Sequence, residues 1–331
     1  MLILLLLGCK KQEIGPQFQS DPLFSGAKVL ILNEGNFGWG NASLSAYDNT
    51  NSSISNNVFS GINGGSLGDV SQSGIRLNDS YFLVINNSGK IVAIDTSTLE
   101  LKGEISGLTS PRYLFALTND KVYVSDLYSA SVHIMSANSL TITGEIPVYD
   151  WVEKLIIANG DVYGTRPLAS SLIRIDTASN LVLDTIPVGA SPTSIVKDNA
   201  GLLWVLCAGN SSVPPSLVQL SPFSNSVLQT FTFPSTFNPS RLKINGAGDQ
   251  LYFIDKGIYS LSTSATVLDT VPLVSGFGNT LYGFNVHPST GELYVTDAED
   301  YIQSGDVFRF TAAGVLIDSV KAGIIPQAVI F

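Results

Sequence analysis

Short apolar runs recur along the chain at a nearly constant spacing. Val29-Leu30-Ile31-Leu32, Tyr81-Phe82-Leu83-Val84, Val122-Tyr123-Val124-Ser125, Val162-Tyr163-Gly164-Thr165, Leu203-Trp204-Val205-Leu206, Leu251-Tyr252-Phe253-Ile254 and Leu293-Tyr294-Val295-Thr296 begin 52, 41, 40, 41, 48 and 42 residues apart. Each run is rich in β-branched and aromatic residues and too short for a helix, so each reads as a buried strand. A second pattern follows every run: an apolar strand, a small polar turn, then another strand. It is clearest in Ile91-Val92-Ala93-Ile94-Asp95-Thr96 leading into 99–105 and in Leu172-Ile173-Arg174-Ile175-Asp176-Thr177 leading into 181–186. The Asp-Thr pairs suit hairpins, because short oxygen-bearing side chains bond the backbone two residues on and close the turn. Weaker copies lie at 44–58, 132–146, 217–231, 258–271 and 307–320. A third strand, often opened by proline (Pro111, Pro192, Pro239), precedes the next repeat.

Every repeat therefore supplies four strands, A to D from the axis outwards, at the spacing of a propeller blade. A lone four-stranded sheet cannot cover both its faces, so the blades must stack around an axis. The chain enters in a B strand at Val29 and ends in an A-like strand, Pro326-Gln327-Ala328-Val329-Ile330-Phe331. The expected fold is all-β: a seven-bladed β-propeller, four antiparallel strands per blade, forming a single domain over 27–331. Its C-terminal strand joins the N-terminal blade and removes an exposed edge.

Composition agrees with strands and turns, with 44% hydrophobic and only 13% charged residues. The formal net charge of −10 argues against a nucleic-acid partner, which needs clustered cations. The two cysteines sit in different settings. Leu6-Leu7-Gly8-Cys9 resembles the lipobox of a bacterial lipoprotein, which implies a signal peptide over 1–8, cleavage before Cys9 and lipid attachment there. The apolar run 2–7 is short for a signal core, which leaves the start codon open. Residues 9–26 then read as the lipidated cysteine and a flexible tether, attached to the membrane through lipid only. Cys207, within Leu206-Cys207, reads as a buried small hydrophobe.

The repeat Val-Tyr-Val-Ser-Asp at 122–126, with Ile-Asp-Thr and Ile-Pro-Val-Gly-x-Ser-Pro at 186–192, resembles the YncE-like propeller family. Leu32-Asn33-Glu34-Gly35-Asn36 followed by Ser43-Leu44-Ser45-Ala46-Tyr47-Asp48 resembles its surface-layer-type lipoprotein branch. That branch includes outer-membrane surface lipoproteins that capture cobalamin. The resemblance implies a small-molecule nutrient ligand, a corrinoid among the candidates. It also implies a TonB-dependent outer-membrane transporter as partner and lipid-anchored residence at the outer membrane, on its cell-surface or periplasmic face.

Candidate chemistry is sparse. The two histidines stand apart, His133 in a strand and His287 in a turn, so no metal site or cofactor is expected. No nucleophile elbow, phosphate loop or Cys-x-x-Cys occurs, and no catalytic residue is assigned. The acidic group Asp297, Glu299, Asp300 and Asp306 lacks the spacing of a twelve-residue calcium loop. A ligand-binding rim is the better-supported site. B–C and D–A loops emerge on one face of a propeller, and they carry Asn33, Glu34, Asn36 and Trp39 from the first blade. Later blades add Asn86, Arg112, Tyr128, Asp150, Trp151, Arg166, Arg241, Lys256 and Tyr301, with Phe37, Tyr113 and Tyr282 beside them. Aromatic and Arg side chains are the usual anchors of recognition. The reading is a non-enzymatic ligand-binding envelope lipoprotein. The alternatives are a protein-interaction scaffold and a lactonase- or quinoprotein-like enzyme.

Overall fold

Both ends of the described chain meet in one sheet. The computed structural model describes residues 28–278 and 280–331. The expected signal peptide 1–8, lipidated Cys9 and tether 9–26 lie outside the described residues. Inner strand Pro326–Ile330 pairs with Lys28–Asn33, followed outwards by Ser43–Asp48 and Ser53–Ser55, and these four strands are blade one. The pairing is antiparallel, with Leu30 opposite Ile330, Ile31 opposite Val329 and Leu32 opposite Ala328. Blades two to seven follow in chain order. Their inner strands are Ser71–Leu77, Pro111–Ala116, Leu155–Ala158, Pro192–Lys197, Ser240–Ile244 and Leu281–Val286. Each inner strand touches the next, and Leu281–Val286 touches Pro326–Ile330, so the ring is closed. The fold is a seven-bladed β-propeller of four-stranded antiparallel sheets.

The recurring apolar runs are the second strands of the blades, and the geometry of a strand explains why they lack polar alternation. Successive side chains point to opposite faces, and here both faces are covered. In strand Ser80–Ile85, Tyr81, Leu83 and Ile85 enter the core shared with blade one, while Phe82 and Val84 enter the core shared with blade three. Seven such cores, one between each pair of neighbouring blades, hold the ring together. The large aromatics in these runs need partners for their polar ends. Tyr123 donates to the Asn180 side chain of the next blade (2.5 Å), Tyr163 to that of Asn225 (2.8 Å), and the Trp204 indole to Asp198 (2.8 Å). Cys207 is fully buried among apolar neighbours, and burial pushes its thiol up to about 11.

Two hairpins differ from the sequence pattern. Val58 does not end a strand but opens the helix Val58–Asn63, whose Val58 and Phe59 are buried between blades one and two. That inserted helix accounts for the 52-residue first spacing. In blade six the outer strand is only Val274–Ser275, paired with Gly257 and Ile258. The stretch before it includes Pro272, which has no amide to offer a ladder.

Closure through Pro326–Ile330 carries a stability prediction. Ile330 is 5% exposed in the core between blades one and two, so Ile330→Ala is expected to cost about 2–5 kcal/mol in urea unfolding. Ile302→Ala, on a loop and 73% exposed, should stay within about 0.5 kcal/mol of the parent.

Candidate functional site

The inner strands break register at one level of the ring. Gln72, Thr193 and Gln327 each stand as one extra residue in the pairing with the second strand. Arg112-Tyr113, Arg241-Leu242 and Tyr282-Gly283 each stand two against one. Such bulges re-aim side chains and are common beside functional sites. Arg241 takes a left-handed backbone (φ 58°) to do so. Gly283 is required at its bulge because a Cβ there would strike the Gln327 carbonyl and the Thr296 hydroxyl.

The freed backbone amides find hydroxyls on the second strands. Ser125 accepts from the Tyr113 amide (3.1 Å), Thr165 from Lys154 (3.0 Å) and Thr296 from Gly283 (2.7 Å). The residue after two of these hydroxyls is an aspartate that ties the loops above. Asp126 accepts from the amides of Ser110 and Tyr128 (3.0 and 3.1 Å), and Asp297 from those of Thr280 and Glu299 (both 2.8 Å). The Ser/Thr-Asp ending of the repeat is thus the support for the bulges.

The bulged residues open into a cavity of about 610 Å³ at the channel mouth, to which all seven blades contribute. Arg112 is its structural hub. Its guanidinium donates to both oxygens of Glu153 (3.1 and 2.7 Å) and to the Gln72 side-chain oxygen (2.7 Å). Trp151 donates to the same Glu153 carboxylate (2.9 Å). Burial opposes the charge on Arg112, but the hydrogen bonds and charge of Glu153 win and hold it firmly protonated. Across the mouth the Tyr282 hydroxyl donates to Glu34 (2.8 Å), and Arg241 donates to the Tyr282 carbonyl (2.9 Å). Burial raises Glu34 above the usual carboxylate range, against the opposing pull of Tyr282, Arg241 and Arg112. Lys154 lies 3.0 Å from the centroid of the Tyr113 ring.

Below the mouth the channel continues as a space of about 260 Å³ lined in part by Lys154, Arg241 and Lys243. Burial pushes Lys154 down to about 7; Glu153 opposes this, while Arg241 and Arg112 add to it. Lys243 is also pushed down to about 7, by burial and then by the Lys154 and Arg241 charges. Four cations, Arg112, Lys154, Arg241 and Lys243, face this axis against two carboxylates, Glu34 and Glu153. Below about pH 7, where both lysines hold their protons, a chain of net charge −10 turns a positive field inwards.

The sequence-predicted residues divide accordingly. Glu34, Asn86, Arg112, Tyr128 and Arg241 line the mouth, with Phe37, Tyr113 and Tyr282. Trp151 reaches the site through Glu153, and Tyr301 packs edge-on against Tyr282 while its carbonyl accepts from Asn36 (2.7 Å). Asn33 is fully buried, its side-chain amide bonding the Ser43 and Ser45 hydroxyls of blade one and the Gly323 amide of blade seven. Asp150 and Arg166 pair with each other at 3.6 Å outside the cavity. Trp39 and Lys256 are exposed and do not line it. The acidic group is occupied locally: Asp300 accepts from the Ile302 and Gln303 amides (both 2.9 Å), while Glu299 and Asp306 pair with Lys321 (3.3 and 2.8 Å). Among the described residues no three His, Cys, Asp or Glu side chains gather where a metal ion could sit. Sequence reasoning missed Gln72, Glu153, Lys154, Lys243 and Gln327. The signal available was charge and amide side chains on or just before the inner strands.

The family model described as Domain of unknown function (DUF5074) matches residues 27–322. The chain belongs to this family. The family description names neither the YncE-like nor the cobalamin-capturing branch. No curated protein matches the chain in sequence. Solved structures share the fold of this DUF5074 propeller. A quinonprotein alcohol dehydrogenase-like protein from Bacteroides thetaiotaomicron has a TM-score of 0.73 at 14% identity, covering 91% of this chain and 77% of its own. The periplasmic gluconolactonase PpgL of Pseudomonas aeruginosa has a TM-score of 0.67 at 13% identity, covering 91% and 98%. Hydrazine synthase of Kuenenia stuttgartiensis has a TM-score of 0.68 at 15% identity, covering 79% and 89%.

The two lysines make stability depend on pH in a definite direction. The folded chain gives up their protons near pH 7, while the unfolded chain holds them until about 10.5. A depressed lysine destabilises the fold most below pH 7, and this cost fades as pH rises. Urea unfolding of this DUF5074 propeller should show stability rising between pH 7 and 9, by of the order of 1 kcal/mol per pH unit. Replacing both lysines with Met should flatten the rise.

Proposed function

We propose that this propeller is a ligand-binding protein that captures a small polar molecule at the mouth of its channel. A lipid on Cys9 holds it at the outer membrane, where it passes the ligand to a TonB-dependent transporter. The observation that carries the reading is the cavity of about 610 Å³, where Arg112, Arg241, Glu34 and Tyr282 converge from separate blades. Concave sites with a few fixed polar groups among apolar walls are how proteins hold small molecules. Arg112 is positioned by Glu153 and Gln72 before any ligand arrives, which lowers the entropy cost of binding. Exposed Phe37 and Tyr128 line the mouth and offer aromatic contact area to the ligand or to the protein that receives it.

A second reading, hydrolysis of a lactone, has one observation in its favour. Glu34 is held above the ordinary carboxylate range inside the cavity and faces Arg241, the pairing of a base with a cation that a hydrolase needs. One of the solved structures of similar fold is a gluconolactonase.

Calorimetry of the purified protein against cobalamin, related corrinoids and a panel of small polar metabolites tests the first reading. A ligand with micromolar or tighter affinity is expected, about −8 kcal/mol or better. Arg241→Ala should weaken its binding at least about tenfold, and Lys256→Ala, outside the cavity, should not. No binding across the panel, or equal binding by both variants, contradicts capture at the mouth. Turnover of gluconolactone that Glu34→Gln abolishes would establish the second reading instead.

A further inference from the structure

The channel below the mouth has a charge arrangement that mouth capture alone does not explain. Its walls mix apolar side chains with the polar Gln72, Ser73, Tyr113, Ser194, Asn285 and Gln327, and its basic groups are Lys154, Arg241 and Lys243. Neither lysine forms an ion pair among the described residues. Glu153, the carboxylate nearest Lys154, is already held by Arg112 and Trp151. The charged groups acting on Lys243 are Lys154 and Arg241, both of its own sign. Gln327 is 5% exposed, and its side-chain oxygen has no hydrogen-bond partner. That oxygen is the enclosed end of the amide, and Gln327 itself lines the channel.

Like charges gathered in a desolvated space cost stability unless negative charge joins them. The channel lining holds three basic side chains and no carboxylate, and once all three carry protons they exceed what one carboxylate ligand neutralises. A compact dianion matches them better, with oxygens on several sides to meet two point-charge ammoniums and a forked guanidinium. The channel space of about 260 Å³ accommodates such a head group, and the larger mouth above it accommodates the body of the molecule.

We propose that the channel is an anion site in which Lys154, Lys243 and Arg241 hold a phosphate-type dianion, with the Gln327 amide as a further donor. The proposal rests on the capture reading and specifies the chemical class of what is captured.

Binding should then take up protons. In the empty channel the lysines are depressed by burial, by each other and by Arg241 and Arg112, with Glu153 alone opposing at Lys154. A bound dianion restores their protons, so affinity falls as pH rises above about 7.

The test is calorimetry of the full chain with inorganic phosphate at pH 6.5 and 8.5, using buffers of different ionisation enthalpy. Expected are saturable binding at the lower pH, affinity weaker by about tenfold or more at the higher pH, and net proton uptake at the higher pH, where phosphate is already a dianion and the lysines must gain their protons. Lys243→Met should abolish binding and Lys243→Arg should retain it. Without phosphate, Lys243→Met should melt at a higher temperature than the parent, the reverse of what loss of a structural lysine would give. Glycerol phosphate binding tighter than inorganic phosphate identifies the head group of a larger ligand; equal binding identifies phosphate itself. No phosphate binding at pH 6.5, or binding unchanged in Lys243→Met, overturns the proposal. If phosphate fails while Arg241→Ala still impairs capture of another ligand, the mouth reading stands and this one falls.

Discussion

The pairing of Pro326–Ile330 with Lys28–Asn33 is the constraint on which the rest of the molecule depends. No blade covers its own faces. Each second strand is apolar on both sides and is buried only because a neighbour stands on either hand. An open row of blades would leave one such face bare at each end. Joining the two ends of the ring within a single sheet makes the closing contact as strong as any other between strands, and removes the free edge that would invite association. The cost is long-range contact formation, since residues about 300 apart in sequence must meet before the ring is complete.

Closure also creates the axis, and the axis is where the fold departs from regularity. The bulges at Gln72, Arg112-Tyr113, Thr193, Arg241-Leu242, Tyr282-Gly283 and Gln327 lie at one level. Neighbouring blades are stitched beside it: Ser73 donates to the Arg112 carbonyl (2.6 Å), Ser125 to that of Glu153 (2.8 Å) and Asn285 to that of Val329 (2.8 Å). A ring so braced tolerates what a single sheet would not, namely several buried basic side chains in a narrow space, two of them without an ion-pair partner among the described residues. Stability supplied by seven apolar cores is spent at the centre on charge, and binding sites commonly carry such local cost.

The architecture was legible in the sequence because it rests on periodicity. Runs such as Tyr81-Phe82-Leu83-Val84 state that both faces of a strand are covered, and the A-like end at 326–331 states which blade is completed. The Ser/Thr-Asp ending was visible as part of the repeat, but its function was not, since a hydroxyl opposite a bulge leaves no mark beyond its residue type. The site was half legible. Arg112, Arg241 and Glu34 stood out as polar residues near predicted loop ends. Lys154, Lys243 and Gln327 did not, because they sit on or beside inner strands where a bulge or an irregular start alters which side chains face the axis. Asn33 stands at a rim position in the sequence, yet its amide is satisfied by Ser43 and Ser45 of its own blade and Gly323 of blade seven. Trp39 and Lys256 share only loop membership with the site, and a loop on the correct face need not reach the axis.

The central claim is that the axis of this ring is a positively charged receptor for anions. Anomalous diffraction from crystals grown in iodide tests it most directly, because a heavy anion reports where the protein concentrates negative charge. The account predicts an ordered peak in the channel beside Lys243 and Arg241. Peaks confined to the outer surface, with the channel empty, would contradict it.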